Sequence, residues 1–242
     1  MKRWLSAGLF IASLCFVVPA AADPVRDVLT PNGEVAPALR QLVLLTAISI
    51  VPALLIAMTS FTRIVIVLSM LRSALGLAQT PPNVVLITLS LFLTLFSMAP
   101  VLDAVKARGL DPWMNKQAST EVALHDGFEP LKAFMLRQTR EEDLRAVVSM
   151  AGAPQPHTAE AVQPLHLVPA FMLSELRTAF QIGFVIFLPF LLIDLVVASI
   201  LMALGMIMVP PATVSLPLKV LLFLLINGWV LVAQTVLGSY RH

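Results

Sequence analysis

Residues 180–209 read FQIGFVIFLPFLLIDLVVASILMALGMIMV, and the pair Pro210-Pro211 follows directly. Asp194 is the single ionisable side chain in this run. At 1.5 Å per residue, one straight helix of this length would be roughly 43 Å long. That exceeds a hydrocarbon core of about 30 Å, so the segment must tilt, kink at Pro189 or extend beyond a bilayer. Beyond the proline pair a second apolar run extends from Val214 to about Leu237. Two such runs joined by a short helix-breaking connection predict a helical hairpin.

An earlier part of the chain repeats the arrangement. One apolar block runs from Leu42 to about Met58 and continues less purely through Leu71, with Pro52 inside it and Arg63 and Arg72 in its second half. Another, Val84 to Val101, is entered through Thr80-Pro81-Pro82-Asn83. The expected fold is therefore all-α, with two long helical hairpins, 42–102 and 169–242, around a polar mid-chain helical segment, 103–168. Within that segment Phe128, Leu131, Phe134 and Met135 keep the rhythm of a helix with one apolar face. Gly152, Pro154, Pro156 and Pro164 predict a loop over Ala151 to Pro164.

Composition agrees with this layout. Charged residues make up 12% and hydrophobic residues 58%, where about 25% charged is ordinary for a soluble domain. A chain this apolar cannot cover its own surface with polar groups, which points to a membrane or a tight assembly. A net charge of +2 and few aromatic residues give neither a basic patch nor a stacking platform for nucleic acid. At the N-terminus, Lys2 and Arg3, the apolar stretch Leu5 to Val18 and the small residues after Pro19 read as a secretory signal peptide over 1–22. Cleavage is expected between Ala22 and Asp23; an uncleaved first transmembrane helix is the alternative. Residues 23–41 then read as a flexible lead-in. With the signal removed, four crossings would leave both termini and the 103–168 segment outside. Cys15, the one cysteine, lies in the signal, so the mature chain would have no disulfide or thiolate site.

No nucleophile elbow, zinc-protease helix, P-loop or dinucleotide fingerprint is present. His125, His157, His166 and His242 lack metal-ligand spacing. Glu175 and Asp194 would stand roughly 28 Å apart on one continuous helix, too far for a two-carboxylate mechanism. The expectation is a non-enzyme with no catalytic residue, metal or cofactor. What remains is a set of ions among apolar residues: Arg63, Glu175, Arg177, Asp194 and Lys219. Arg63 and Lys219 can snorkel from helix ends. Asp194 is too short for that, so it is expected either to pair with a cation, its own chain's or a neighbouring copy's, or to relay protons. The stretch Met202 to Pro211 combines adaptable methionines with helix breakers at Gly205, Pro210 and Pro211. It reads either as ordinary helix-end packing or as a seal of variable shape.

The stretches Pro169 to Phe184 and Pro189 to Pro211, with Phe61-Thr62-Arg63-Ile64, Leu71 to Gly76 and Pro81-Pro82-Asn83, resemble the FliP/SctR family of type III secretion export-gate proteins. The resemblance covers about Leu42 to Tyr240. It implies a core subunit of an export gate: a helical ring of five copies with FliQ-like and FliR-like subunits, through which unfolded rod, hook and filament proteins pass. A FliO-like assembly factor and FlhA-like and FlhB-like components are further implied partners. The implied location is the bacterial inner membrane within the flagellar basal body, with much of the assembly on the periplasmic side. The resemblance assigns Glu175, Asp194, Lys219 and Arg63 to charge contacts between subunits. It assigns Met206, Ile207 and Met208 to a methionine-rich gasket, with the helix broken at Gly205, Pro210 and Pro211. Ile207 departs from the usual methionine, and a β-branched side chain is stiffer. The N-terminal signal favours the flagellar branch over the virulence injectisome. A small proton-coupled transporter using Asp194 and a scaffold without a lumen are the competing readings.

Overall fold

The computed structural model describes residues 35–240 apart from Ala78, His157 and Glu160. The expected signal peptide and its Ala22/Asp23 cleavage site lie outside the described residues. Those residues form helices and connections, with no strand among them, as the apolar periodicity predicts. The helices are α1 (Val35–Ala57), α2 (Phe61–Ala74), α3 (Asn83–Val105), α4 (Asp111–Met114), α5 (Thr120–Gln138), α6 (Glu141–Met150), α7 (Pro164–Ala203), α8 (Pro211–Leu225) and α9 (Gly228–Gly238). A single π-helical turn, Lys106–Leu110, joins α3 to α4.

The chain divides into two units, the first ending at Ala53 and the second starting at Leu54. The first unit contributes most of α1, which begins before the boundary expected from hydropathy. Pro37 falls in its first turn, where the missing N–H costs nothing. Thr46 and Ser49 turn their hydroxyls back onto the carbonyls of Leu42 and Thr46.

In the second unit the core is built along α7. Its buried stripe is Leu167, Ala170, Phe171, Ser174, Glu175, Ala179 and Gly183. On α2, the helix that packs most extensively against it, the facing stripe is Arg63, Ile64, Val67, Leu68 and Leu71. Both recur at three- and four-residue intervals, which places each set on one helix face. Helix α5 adds Phe134 and Met135, both fully buried, so the amphipathic helix predicted from Phe128 to Met135 is present. It starts at Ser119, whose Oγ accepts from Val122 N–H, and it carries Glu121 in the first turn and Arg137 in the last. Those charges oppose the helix dipole at both ends. None of the described residues of 151–163, where the loop was predicted, is helical.

Three expectations need correction. The apolar block expected to continue from Leu42 through Leu71 is interrupted at Met58–Ser60, between α1 and α2. The run expected from Phe180 begins at Pro164, because proline suits the first helical position and Pro169 is absorbed early in the helix. The run expected from Val214 to Leu237 is two helices, bent by 65° at Ile226–Asn227. Asn227 adopts a left-handed conformation there, φ 50° and ψ 47°. Among the described residues, two stretches are long and apolar enough to cross a membrane, Asn83–Met114 and Pro164–Ala203, and α8 with α9 counts as a third if the bent pair crosses as one. At 14 residues α2 would be about 21 Å long, too short to span by itself.

Candidate functional site

Arg63 enters the core from the first turn of α2 and meets Glu175, in the N-terminal third of α7. The guanidinium grips the carboxylate through two nitrogens, with Nε donating to Oε2 at 2.9 Å and Nη2 to Oε1. The two side chains are 2% and 0% exposed. Arg63 Nη1 donates to the Ser239 carbonyl at 3.2 Å and lies 2.9 Å from Ser239 Oγ. The Tyr240 hydroxyl lies 2.9 Å from Glu175 Oε2 and 3.0 Å from the Ser60 carbonyl. Its ring lies under the guanidinium, 3.9 Å from Cζ to centroid, and stacks on Phe134 of α5 at 6.1 Å. Burial, reinforced by the adjacent Glu175 carboxylate, pushes the Tyr240 hydroxyl far above its usual range, so it stays protonated and able to donate. A buried ion pair persists only where its remaining hydrogen-bonding capacity is met, and Ser239 and Tyr240 meet it here.

A second pair lies further along α7. Lys219 Nζ of α8 donates to Asp194 Oδ2 at 2.6 Å and lies 3.4 Å from the Ala74 carbonyl, at the end of α2. Lys219 is buried, whereas the Asp194 side chain is 41% exposed. The cation required for Asp194 by its apolar surroundings is thus supplied within the chain. Snorkelling, proposed for Arg63 and Lys219, does not occur: both are drawn inward because each finds a carboxylate on α7. All four charges that the resemblance assigns to contacts between subunits pair with one another inside this single chain. Arg177 pairs elsewhere, with Glu142 at 3.2 Å and Asp143 at 3.1 Å.

The methionine stretch forms the turn between α7 and α8. Gly205, at φ +74°, closes α7 in a Schellman arrangement: its N–H bonds to the Met202 carbonyl at 3.0 Å, and Met206 N–H to the Leu201 carbonyl at 2.9 Å. A residue with a Cβ adopts that backbone only at a cost. The chain then turns outward, and Pro211 starts α8 at a position that tolerates proline. Ile207 and Met208 are 86% and 95% exposed, and Met206 is exposed too. The chain is non-helical over 204–210, between α7 and α8, and the side chains of Met206, Ile207 and Met208 are exposed there.

Sequence reasoning missed Tyr240 and Ser239, and no local pattern marks them. It also missed the break at Asn227-Gly228, although that dipeptide is a turn signal even inside an apolar run. A groove of about 430 Å³ between residues 105–113 and α5, and one of about 400 Å³ beside the α8–α9 bend, are lined without any ionisable group. Neither therefore brings an acid–base pair to a bound molecule. Among the described residues, no three His, Cys, Asp or Glu side chains come together.

Fold and site together define an all-helical protein with helices able to cross a membrane, closed by internal charge pairs and presenting an apolar turn. The chain belongs to the FliP family, whose sequence model matches residues 44–236. It is 53% identical over 231 residues to the flagellar biosynthetic protein FliP of Pectobacterium carotovorum, covering 93% of this chain and 88% of that protein. It is 48% identical over 207 residues to the protein of the same name in Bacillus subtilis, covering 86% and 94%. The corresponding figures for the Caulobacter vibrioides protein are 44% over 247 residues, 100% and 92%.

Proposed function

We propose that this chain is a non-catalytic core subunit of the flagellar type III protein export apparatus, and that it helps form the channel for unfolded flagellar proteins. Family membership supports the apparatus, and the flagellar names of the relatives support that branch over the injectisome. The channel role is carried by one observation: the Met206-Ile207-Met208 turn stands out from the protein with three large apolar side chains in the open. In a ring of copies, five by family resemblance, such turns would converge as a compliant apolar constriction. Ile207, more exposed than Met206 and nearly as exposed as Met208, would be presented along with them. FliQ-like and FliR-like subunits would complete the ring, a FliO-like factor would assist assembly, and FlhA-like and FlhB-like components would adjoin it. The assembly would sit in the inner membrane at the basal body, with much of it on the periplasmic side. Asp194 keeps an exposed edge beside Lys219, through which a neighbouring subunit could join the pair. Arg63 and Glu175 would act on assembly indirectly, by fixing the shape of each copy.

Replacing Met206 and Met208 by alanine is expected to raise small-ion leak across the membrane without unfolding the chain, because neither side chain supports the core. Wild-type conductance together with wild-type motility in the double variant would sink the gasket role. A proton-coupled transporter working through Asp194 finds less support, since Lys219 engages that carboxylate at 2.6 Å. Uptake by the chain alone in liposomes, lost in Asp194→Asn, would revive it.

A further inference from the structure

Helices α8 and α9 differ in how they are fastened. The buried residues of α8 are Ser215, Lys219 and Phe223, and those of α9 beyond its first residue are Val232 and Val236, followed by Tyr240. Spacing by four places each set on a single stripe. The α8 stripe consists of a hydroxyl, an ammonium and one ring, and it rests on α7. The α9 stripe is apolar, rests on α2 and α3, and ends at Tyr240 against Glu175.

The two polar fastenings also differ. Glu175 is sealed from solvent, whereas the Asp194 side chain is 41% exposed. A partly exposed carboxylate can exchange an ammonium for water or another cation more readily than a fully buried one, so the cost of parting this pair falls mainly on the buried Lys219, which keeps the Ala74 carbonyl. Between the helices lies the left-handed Asn227 and the 65° bend. The Phe223 ring sits against Gly228 so closely that a Cβ there would fall 2.0 Å from it, and Trp229 meets the same ring edge-on at 5.3 Å. The bend is thus a shaped joint. At the other end of α8, the 204–210 turn leads back to α7 with its apolar side chains exposed.

We propose that α8 is a strap that swings on the Asn227–Gly228 joint while α9 stays fixed, and that release of Lys219 from Asp194 is the step that frees it. The swing carries the Met206–Met208 turn. That last consequence rests on the channel reading above, whereas the joint itself does not.

Hydrogen–deuterium exchange on the full chain, within the membrane complex it purifies with, tests the proposal. Amides of α8 should exchange about tenfold faster than those of α9 in the wild-type protein. Asp194→Asn should speed α8 further and leave α9 unchanged. Equal protection of the two helices, or an α9 that loosens along with α8 in the variant, overturns the proposal. Should the variant fail to assemble, the wild-type comparison still decides. Ion leak read in parallel separates the two readings. A loosened α8 with unchanged leak keeps the joint and removes the channel role, whereas raised leak with unchanged α8 exchange does the reverse.

Discussion

At Tyr240 one phenol serves four neighbours: its hydroxyl reaches Glu175 and Ser60, and its ring supports Arg63 and stacks on Phe134. These roles can be separated. Tyr240→Phe keeps both ring contacts and removes one hydrogen bond to a buried carboxylate, at a cost of about 1–3 kcal/mol. Tyr240→Ala also loses the ring and should cost about 3–5 kcal/mol. Thermal unfolding in detergent should rank wild type above Phe above Ala, and equal losses would mean the ring contributes nothing. The raised hydroxyl gives a pH dependence with a defined sign. In the unfolded chain tyrosine ionises near 10, while in the folded chain it holds its proton to higher pH. Folded protein therefore binds more protons above that value, and stability should fall as pH rises past about 10. Tyr240 is the one tyrosine in the sequence, so phenolate absorbance reports on it alone. That absorbance should appear together with unfolding, and a smooth titration of still-folded protein would contradict the assignment. At this scale the sequence was half readable. The need of Asp194 for a cation follows from the apolar residues around it. The need of Arg63 for Glu175 does not, because the partner lies 112 residues away.

Helix α6 shows how a whole element can hang on a small polar pad. Its buried Asp143 accepts from Ser174 Oγ at 2.7 Å and pairs with Arg177, while the same Ser174 Oγ accepts from Arg140 N–H at 3.0 Å. Arg140 further reaches Gln181 at 2.6 Å. Ser174→Ala would leave a buried carboxylate and a backbone donor each one partner short, a loss of about 1–3 kcal/mol. The loss should be local. Hydrogen exchange in 141–150 should rise while the α2–α7 core keeps its protection, and uniform loosening would refute the pad. Element type was legible throughout, since apolar period and proline placement predict helices where helices occur. Element ends were less so. Pro52 and Pro189 read as an interruption and a kink yet lie within helices, while the true break falls at the Asn227-Gly228 turn signal inside the last apolar run. Composition sees the run, but only backbone conformation ends it.

For the molecule as a whole, α3, α7 and α8 leave rows of large apolar side chains uncovered, among them Phe92, Phe96, Phe184, Leu192 and Leu225. A surface of that kind is unstable in water unless lipid, detergent or protein covers it. Stripped of all three, the chain should self-associate, as sedimentation would show; a monodisperse monomer in detergent-free buffer would contradict this. The sequence announced this excess of apolar surface but not what covers it, because lipid tails and apolar protein faces make the same demand on hydropathy. The Arg63–Glu175–Tyr240 cluster has one more consequence, which concerns the order of synthesis. Arg63 leaves the ribosome before Glu175, and another 65 residues must follow before Tyr240. During that interval Glu175, the most deeply buried carboxylate among the described residues, has its arginine but not its phenol. A nascent chain that ends within α8 or α9 therefore still lacks the ring and the hydroxyl that close the centre of the core.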